Sequence, residues 1–177
     1  MFLKGFGGVI PFENIWLGVT VENQQAANDR IPLLLQTPAA VRFLSCEPLL
    51  EDIDLTDIVS GDAGKVGGEW HFNSLSLEEY GPEDDEEFGG ALIDWVIVGG
   101  ESGHNARPCR IEWMRSIVNQ CQNEEVPVFV KQLGAKPLQT YSPMFGSLIT
   151  WPISDRKGAI VAEFPDYLQV QQFPQTP

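Results

Sequence analysis

Apolar and polar positions along this chain alternate between two periods. Ile15 to Val21 is a run of large and β-branched residues introduced by the polar pair Glu13-Asn14, which is the length and composition of a strand. Its apolar continuity predicts burial on both faces. From Asn23 to Gln36 the spacing turns helical, with Ala26, Ala27, Ile31, Leu34 and Leu35 apolar, and Pro32 predicts a break near Arg30 followed by a new turn. Thr37-Pro38 ends that segment, and Val41 to Cys46 predicts a second strand stopped by Glu47-Pro48. A third strand runs from Ile93 to Val98 and a fourth from Val128 to Lys131. Between them Ile111, Met114, Ile117, Val118 and Cys121 mark one face of a helix, and Glu112 in its first turn suits the helix dipole.

Two stretches break the pattern. Residues 50–92 are rich in Gly and acid and read as an insertion, with amphipathic fragments over 49–59 and a short hairpin around 66–72. Residues 136–177 form an irregular Pro-, Gly- and Gln-rich tail in which only 168–172 reads as extended. Strand, helix, strand, insertion, strand, helix, strand is an α/β order whose strands run parallel. The expected fold is a single domain over residues 1–177: a partial (β/α) barrel of about four to five parallel strands with crossover helices and an acidic insertion.

Composition narrows the function. No apolar run approaches the roughly 18 residues that cross a bilayer, so the chain reads as soluble with no membrane role. Cys46, Cys109 and Cys121 are odd in number and widely separated, which excludes a disulfide framework or a CxxC metal site and points to a reducing, cytoplasmic setting. A net charge of −14 and a pI near 4.3 oppose direct nucleic-acid binding. Much of the excess sits between Leu77 and Phe88. That run is either a solvated loop or a surface that imitates nucleic-acid charge for a basic host protein.

Candidate chemistry gathers at the strand ends. The third strand runs into Gly99, Gly100, Glu101, Ser102 and Gly103, where glycine permits sharp turning and close approach to a ligand. Ser102 is either a site hydroxyl or the cap of a following helix. Alternation along strands places Gly18, Thr20 and Glu22 on one face with Phe43, Ser45 and Glu47, then Ile97, Gly99 and Glu101, then Phe129 and Lys131. Two carboxylates about 6 Å apart at an effective dielectric near 20 repel by roughly 3 kcal/mol. Glu22, Glu47 and Glu101 therefore require compensation from Lys131, Arg107, a cationic ligand or a metal. Arg107 suits either an anionic group of a ligand or an ion pair with the acidic insertion. His71 and His104 read as loop residues.

Three runs carry a family resemblance: NIWLGVTVENQQAANDRIPLLLQTPAAVRFLSCEPLL, IDWVIVGGESGHNARPCRIEWMRSIVNQCQ and VPVFVKQLG, joined near the end by DRKG and LQVQQFP. Together they resemble phage and bacterial radical-SAM-like barrel proteins of uncharacterised function, over about Asn14 to Pro174. Full members look like (β/α) barrels with a three-cysteine cluster after the first strand, expected to hold a 4Fe-4S centre that cleaves S-adenosylmethionine. This chain resembles their C-terminal portion and has no such cluster. The resemblance implies no radical chemistry from this chain alone, a 4Fe-4S centre only if a partner supplies the cysteines, and a nucleotide- or S-adenosylmethionine-type ligand at the strand ends. The residues it carries over are Glu22 and Asn23, Glu47, Gly99, Gly100, Glu101 and Ser102, Arg107, and Lys131 with Gln132. So few strands leave unpaired edges and an open face. That predicts a homodimer, an N-terminal partner chain, or a cap formed by Met1 to Ile10 and the C-terminal tail.

Overall fold

The computed structural model of the chain describes residues 14–60, 70–76, 79–80, 91–142 and 146–175. In chain order the elements are β1 (Trp16–Thr20), α1 (Gln24–Leu35), β2 (Val41–Cys46), β3 (Ile58–Ser60), β4 (Trp70–Phe72), β5 (Glu79–Tyr80), β6 (Trp95–Gly99), β7 (Cys109–Arg110), α2 (Ile111–Asn123), β8 (Val128–Gln132), β9 (Pro137–Ser142) and β10 (Ser147–Thr150), followed by two short 3₁₀ turns. The central sheet has four parallel strands in the order β1-β2-β6-β8. The molecule is a mixed α/β fold, and among the described residues the sheet does not close into a barrel.

The two faces of this sheet differ sharply. Leu44 and Cys46 of β2, Val96 and Val98 of β6, and Val128 and Val130 of β8 are fully buried. They share the core with Ala27, Ile31 and Leu34 of α1 and with Met114, Ile117, Val118 and Cys121 of α2. The opposite face carries Trp16, Gly18 and Thr20, Phe43 and Ser45, Trp95 and Ile97, then Phe129 and Lys131, which the strand register places side by side. None of these is fully buried. Among the described residues β1 is therefore packed by helices on one face only, because both lie on the same side; the expected double burial is corrected. On the open face Trp95 gathers aromatic rings, with centroids 6.0 Å from Trp16, 5.9 Å from Phe43, 6.2 Å from Phe129 and 5.5 Å from Phe173. Gly18 makes this possible, since a Cβ there would lie 2.4 Å from the Phe43 ring.

The expected break near Arg30 is absent. α1 runs unbroken through Pro32, with Asn23 as its N-cap accepting from the Ala26 amide at 2.8 Å and Gln36 N–H donating to the Pro32 carbonyl. Pro32 removes one donor, but burial of Ile31, Pro32, Leu34 and Leu35 holds that turn in place.

The insertion contributes to the core. Leu49, Ile53, Leu55 and Ile58 are fully buried, and β3, β4 and β5 form a small antiparallel sheet. The expected hairpin around 66–72 lies outside the described residues apart from Trp70–Phe72, which form β4 and pair with β3 and β5. The acidic run of 77–88 lies outside the described residues apart from β5, as do Met1 to Ile10. The tail closes one edge: Val130 N–H donates to Val170 O at 2.8 Å, Gln172 N–H to Val128 O at 2.9 Å, and Phe129 bridges Gln171 antiparallel. Extended structure expected over 168–172 is present from Val170, whereas Leu168 ends a 3₁₀ turn. The outer edge of β1 is unpaired among the described residues.

Candidate functional site at the parallel strand ends

Parallel strands place all their C-terminal ends at one edge of the sheet, and there the chain puts three carboxylates. Glu22 follows β1, Glu47 follows β2, and Glu101 follows β6. Val21 N–H donates to Ser45 O at 3.0 Å, Leu49 N–H to Gly99 O at 2.9 Å and Leu50 N–H to Glu22 O at 3.0 Å, so backbone bonds tie these ends together. The Glu47–Pro48 peptide is cis.

Each carboxylate has its own cation. Arg30 Nη1 donates to Glu22 Oε2 at 2.8 Å and also to the Thr20 carbonyl. Lys131 Nζ lies 3.2 and 3.0 Å from the two Glu47 oxygens. Arg107 Nε donates to Glu101 Oε2 at 2.6 Å and its backbone N–H to the same oxygen at 3.1 Å. The carboxylates are the inner partners: Glu47 is 18% exposed against 55% for Lys131, and Glu101 30% against 56% for Arg107. The compensation expected from Lys131 and Arg107 is met, and Arg107 pairs with Glu101. Arg30 escaped the sequence reading. A long side chain on a helix points back toward its N-terminus, which brings Arg30 onto the strand end preceding α1.

A slip in strand register gives Glu47 a second donor. Val98 pairs with Val130, but Gly99 pairs with Gln132, one residue beyond the regular register. Successive side chains normally point to opposite faces; here both Lys131 and Gln132 reach Glu47. Gln132 is buried and its Nε2 donates to Glu47 Oε1 at 2.9 Å and to Gly100 O at 2.8 Å. Gly99 supplies the space, because a Cβ there would sit 3.1 Å from Glu47 Cδ.

Two of the sequence candidates have other work. Asn23 caps α1. Ser102 is exposed and caps no helix, since α2 begins only at Ile111 with Arg110 at its N-cap. His104 is an exposed loop residue, whereas His71 belongs to β4.

Charge and burial act in opposition at Glu22. Burial is the largest single influence and raises its carboxyl, but the Arg30 hydrogen bond, its own backbone amide and the charges of Arg30 and Arg107 together hold it below its ordinary value. Hydrogen bonds from the Arg107 side chain and backbone depress Glu101 in the same direction, with Lys136 assisting. Arg107 thus acts on both Glu22 and Glu101, so these two ion pairs share one field. A carboxyl depressed on folding adds stability above its unfolded value, and that stability is lost as pH falls through the lower folded value. Stability should therefore decline on acidification below about pH 4.5, and Glu22→Gln should flatten the decline; denaturant midpoints across that range check this.

The cysteines stand apart from this edge. Cys46, Cys109 and Cys121 are buried free thiols, and burial raises each pKa, to about 12 for Cys109 and Cys121. A 4Fe-4S centre needs accessible thiolates, so these residues do not fit one. Among the described residues no group of His, Cys, Asp and Glu is placed to hold a metal ion, and no helix is long and apolar enough to cross a membrane.

Residues 2–158 match the family model described as "Protein of unknown function (DUF5131)". The chain belongs to this family. The matched span contains all four parallel strands, both helices and every strand-end residue described above, and stops before the segment that pairs with β8. No curated protein and no solved structure matches the chain.

Proposed function

We propose that this chain is the C-terminal part of a radical-SAM-like barrel and binds a zwitterionic, nucleotide-type ligand, such as S-adenosylmethionine, at its parallel strand ends. The observation that carries this reading is the set of ion pairs on one edge, Glu22–Arg30, Glu47–Lys131 and Glu101–Arg107, each with an inner carboxylate and a more exposed cation. A ligand ammonium replaces a mobile cation at Glu47 or Glu101 at small cost, because exposed ion pairs are weak. The cation released is then available to the ligand carboxylate. Half-buried Phe43, Ile97 and Phe129 lie beneath on the same face and offer a surface for a base. The chain's own residues bind and orient; electron transfer belongs to a partner bearing the cysteine cluster. The open aromatic face and the β1 edge support a second copy or a partner chain as the remaining wall.

Calorimetric titration with S-adenosylmethionine tests the reading. Binding should weaken at least about tenfold in Glu47→Gln and in Glu101→Gln, the effect of removing one charge-assisted hydrogen bond. Absence of binding at millimolar ligand, or equal binding by wild type and both variants, would overturn it.

A further inference from the structure

A polar cavity lies apart from the strand-end ion pairs and shares none of their residues. It occupies about 620 Å³ between the β3–β4 hairpin and the end of α2, and its lining includes Asp57, His71, Asn73, Gln120, Asn123 and Glu124. The strand-end loops precede the N-terminus of α2, whereas this cavity adjoins its C-terminus, about 20 Å away along the helix. The volume falls in the range of small-molecule sites.

Its hydrogen-bonding capacity is one-sided. Both Gln120 Nε2 protons are spent, on Ile53 O at 2.9 Å and Ser116 Oγ at 3.2 Å, while its Oε1 accepts from Leu55 N–H at 2.7 Å. Asn73 Nδ2 donates to Glu124 Oε1 at 3.1 Å, and its Oδ1 accepts from Leu75 N–H at 2.9 Å. Thr56 spends its hydroxyl proton on Asp54 Oδ1 at 2.6 Å. Asp57 Oδ1 and His71 Nδ1 are 2.6 Å apart. With the proton on Nδ1, this pair leaves His71 Nε2 as an acceptor. What remains for a ligand is weighted to acceptors, Glu124 Oε2, Asp57 Oδ2, the Thr56 oxygen and Nε2 of the neutral His71 ring, beside one remaining Asn73 Nδ2 proton. Asn123 retains an amide for either role. Among the described residues no Lys or Arg lines the cavity, and the α2 C-terminus adds negative potential. Asp57 and His71 are 56% and 38% exposed, so the cavity is reachable from solvent.

We propose that this cavity is a binding site for a small organic cation that donates several hydrogen bonds, an alkylguanidinium or an aliphatic diamine. The donor-poor, acceptor-rich wall selects for a multi-donor head group, and Asp57 and Glu124 supply the charge. This site is independent of the strand-end reading: it shares no residue with it, and either can fail alone.

Agmatine is the probe, titrated calorimetrically into the full chain at physiological ionic strength, with N-butylurea as a neutral near-isostere of its guanidinium end. Wild type should bind agmatine and not N-butylurea. Asp57→Asn and Glu124→Gln should each weaken binding about tenfold or more, while Asp166→Asn, at an exposed carboxylate outside both sites, leaves it unchanged; thermal unfolding of each variant reports that it folds. Asp57 is exposed, and Glu124→Gln keeps the oxygen that accepts from Asn73, so neither change disturbs the core. Diffuse attraction to an acidic chain would appear as equal weakening by Asp166→Asn and Glu124→Gln, and would overturn the proposal. So would absence of heat at millimolar agmatine, or equal binding of N-butylurea.

Discussion

A Gly100→Ala chain is expected to lose about 3 kcal/mol or more of stability, the upper end of what forced overpacking costs. The reason is backbone against backbone. A Cβ on Gly100 would lie 2.3 Å from the Leu133 carbonyl oxygen and 3.0 Å from Gly134 Cα, neither of which can rotate away. Gly134 itself has φ +86° and a Cβ there would lie 2.8 Å from Gly100 Cα, while a Cβ on Gly158 would lie 2.6 Å from the Gly134 carbonyl oxygen. Three turns thus stack on glycine: the loop after β6, the loop after β8, and the turn that Leu133 N–H reaches through the Gly158 carbonyl at 2.7 Å. Separating them by a methyl group pulls the Glu101 loop from the Lys131–Gln132 loop, so the strand-end site should disperse together with the stability. Denaturant unfolding of Gly100→Ala beside Gly103→Ala checks the argument. Gly103 has φ +110° but nothing within 4 Å of a Cβ, so its replacement carries only backbone strain of about 1 kcal/mol. Equal losses at the two positions would refute the packing account.

Replacing Gln132 by leucine should cost about 2–3 kcal/mol, the range for removing a buried partner of a charged group. Gln132 is buried while it satisfies both Glu47 Oε1 and Gly100 O. Leucine keeps the volume but leaves the Gly100 carbonyl without its donor and Glu47 Oε1 with the exposed Lys131 alone. Lys131→Met is the comparison. Its ammonium is 55% exposed, and loss of a screened pair of this kind costs less than about 1 kcal/mol. The two neighbouring residues touch the same carboxylate, so the contrast isolates burial from charge. Denaturant midpoints measure it, and a Gln132→Leu chain as stable as Lys131→Met would show that the amide does not hold Glu47.

Much of this architecture is written in short-range pattern. β-branched runs at Ile15 to Val21, Val41 to Cys46, Ile93 to Val98 and Val128 to Lys131 each overlap an observed strand of the parallel sheet, two of which run one residue further, because alternation and β-propensity are local properties. The helical spacing of Ile111 to Cys121 likewise gives α2, with all five expected apolar positions buried. The same parity argument places Glu22, Glu47, Glu101 and Lys131 at one edge. Their need for cations follows from electrostatics without coordinates.

What local pattern does not contain is which surface a neighbour covers. β1 reads as doubly buried because its residues are apolar, yet both helices pack on one side and leave the aromatic face open. Pro32 reads as a break because proline lacks a donor, yet the buried side chains around it hold the helix through. Arg30 pairs with Glu22 through the direction a helical side chain takes, and Gln132 reaches Glu47 through a one-residue slip against β6. The Asp57–His71 cavity joins residues from the insertion to the end of α2, as much as 67 positions apart in the chain. Periodicity thus determined the four parallel strands, α2 and the polar edge, since each is encoded in neighbouring residues, whereas β9 and β10 lie in the tail that reads as irregular and pair only through the fold. Partner choice, the uncovered face and the second cavity were decided only in the tertiary structure, where packing sets long-range contacts that no local sequence window contains.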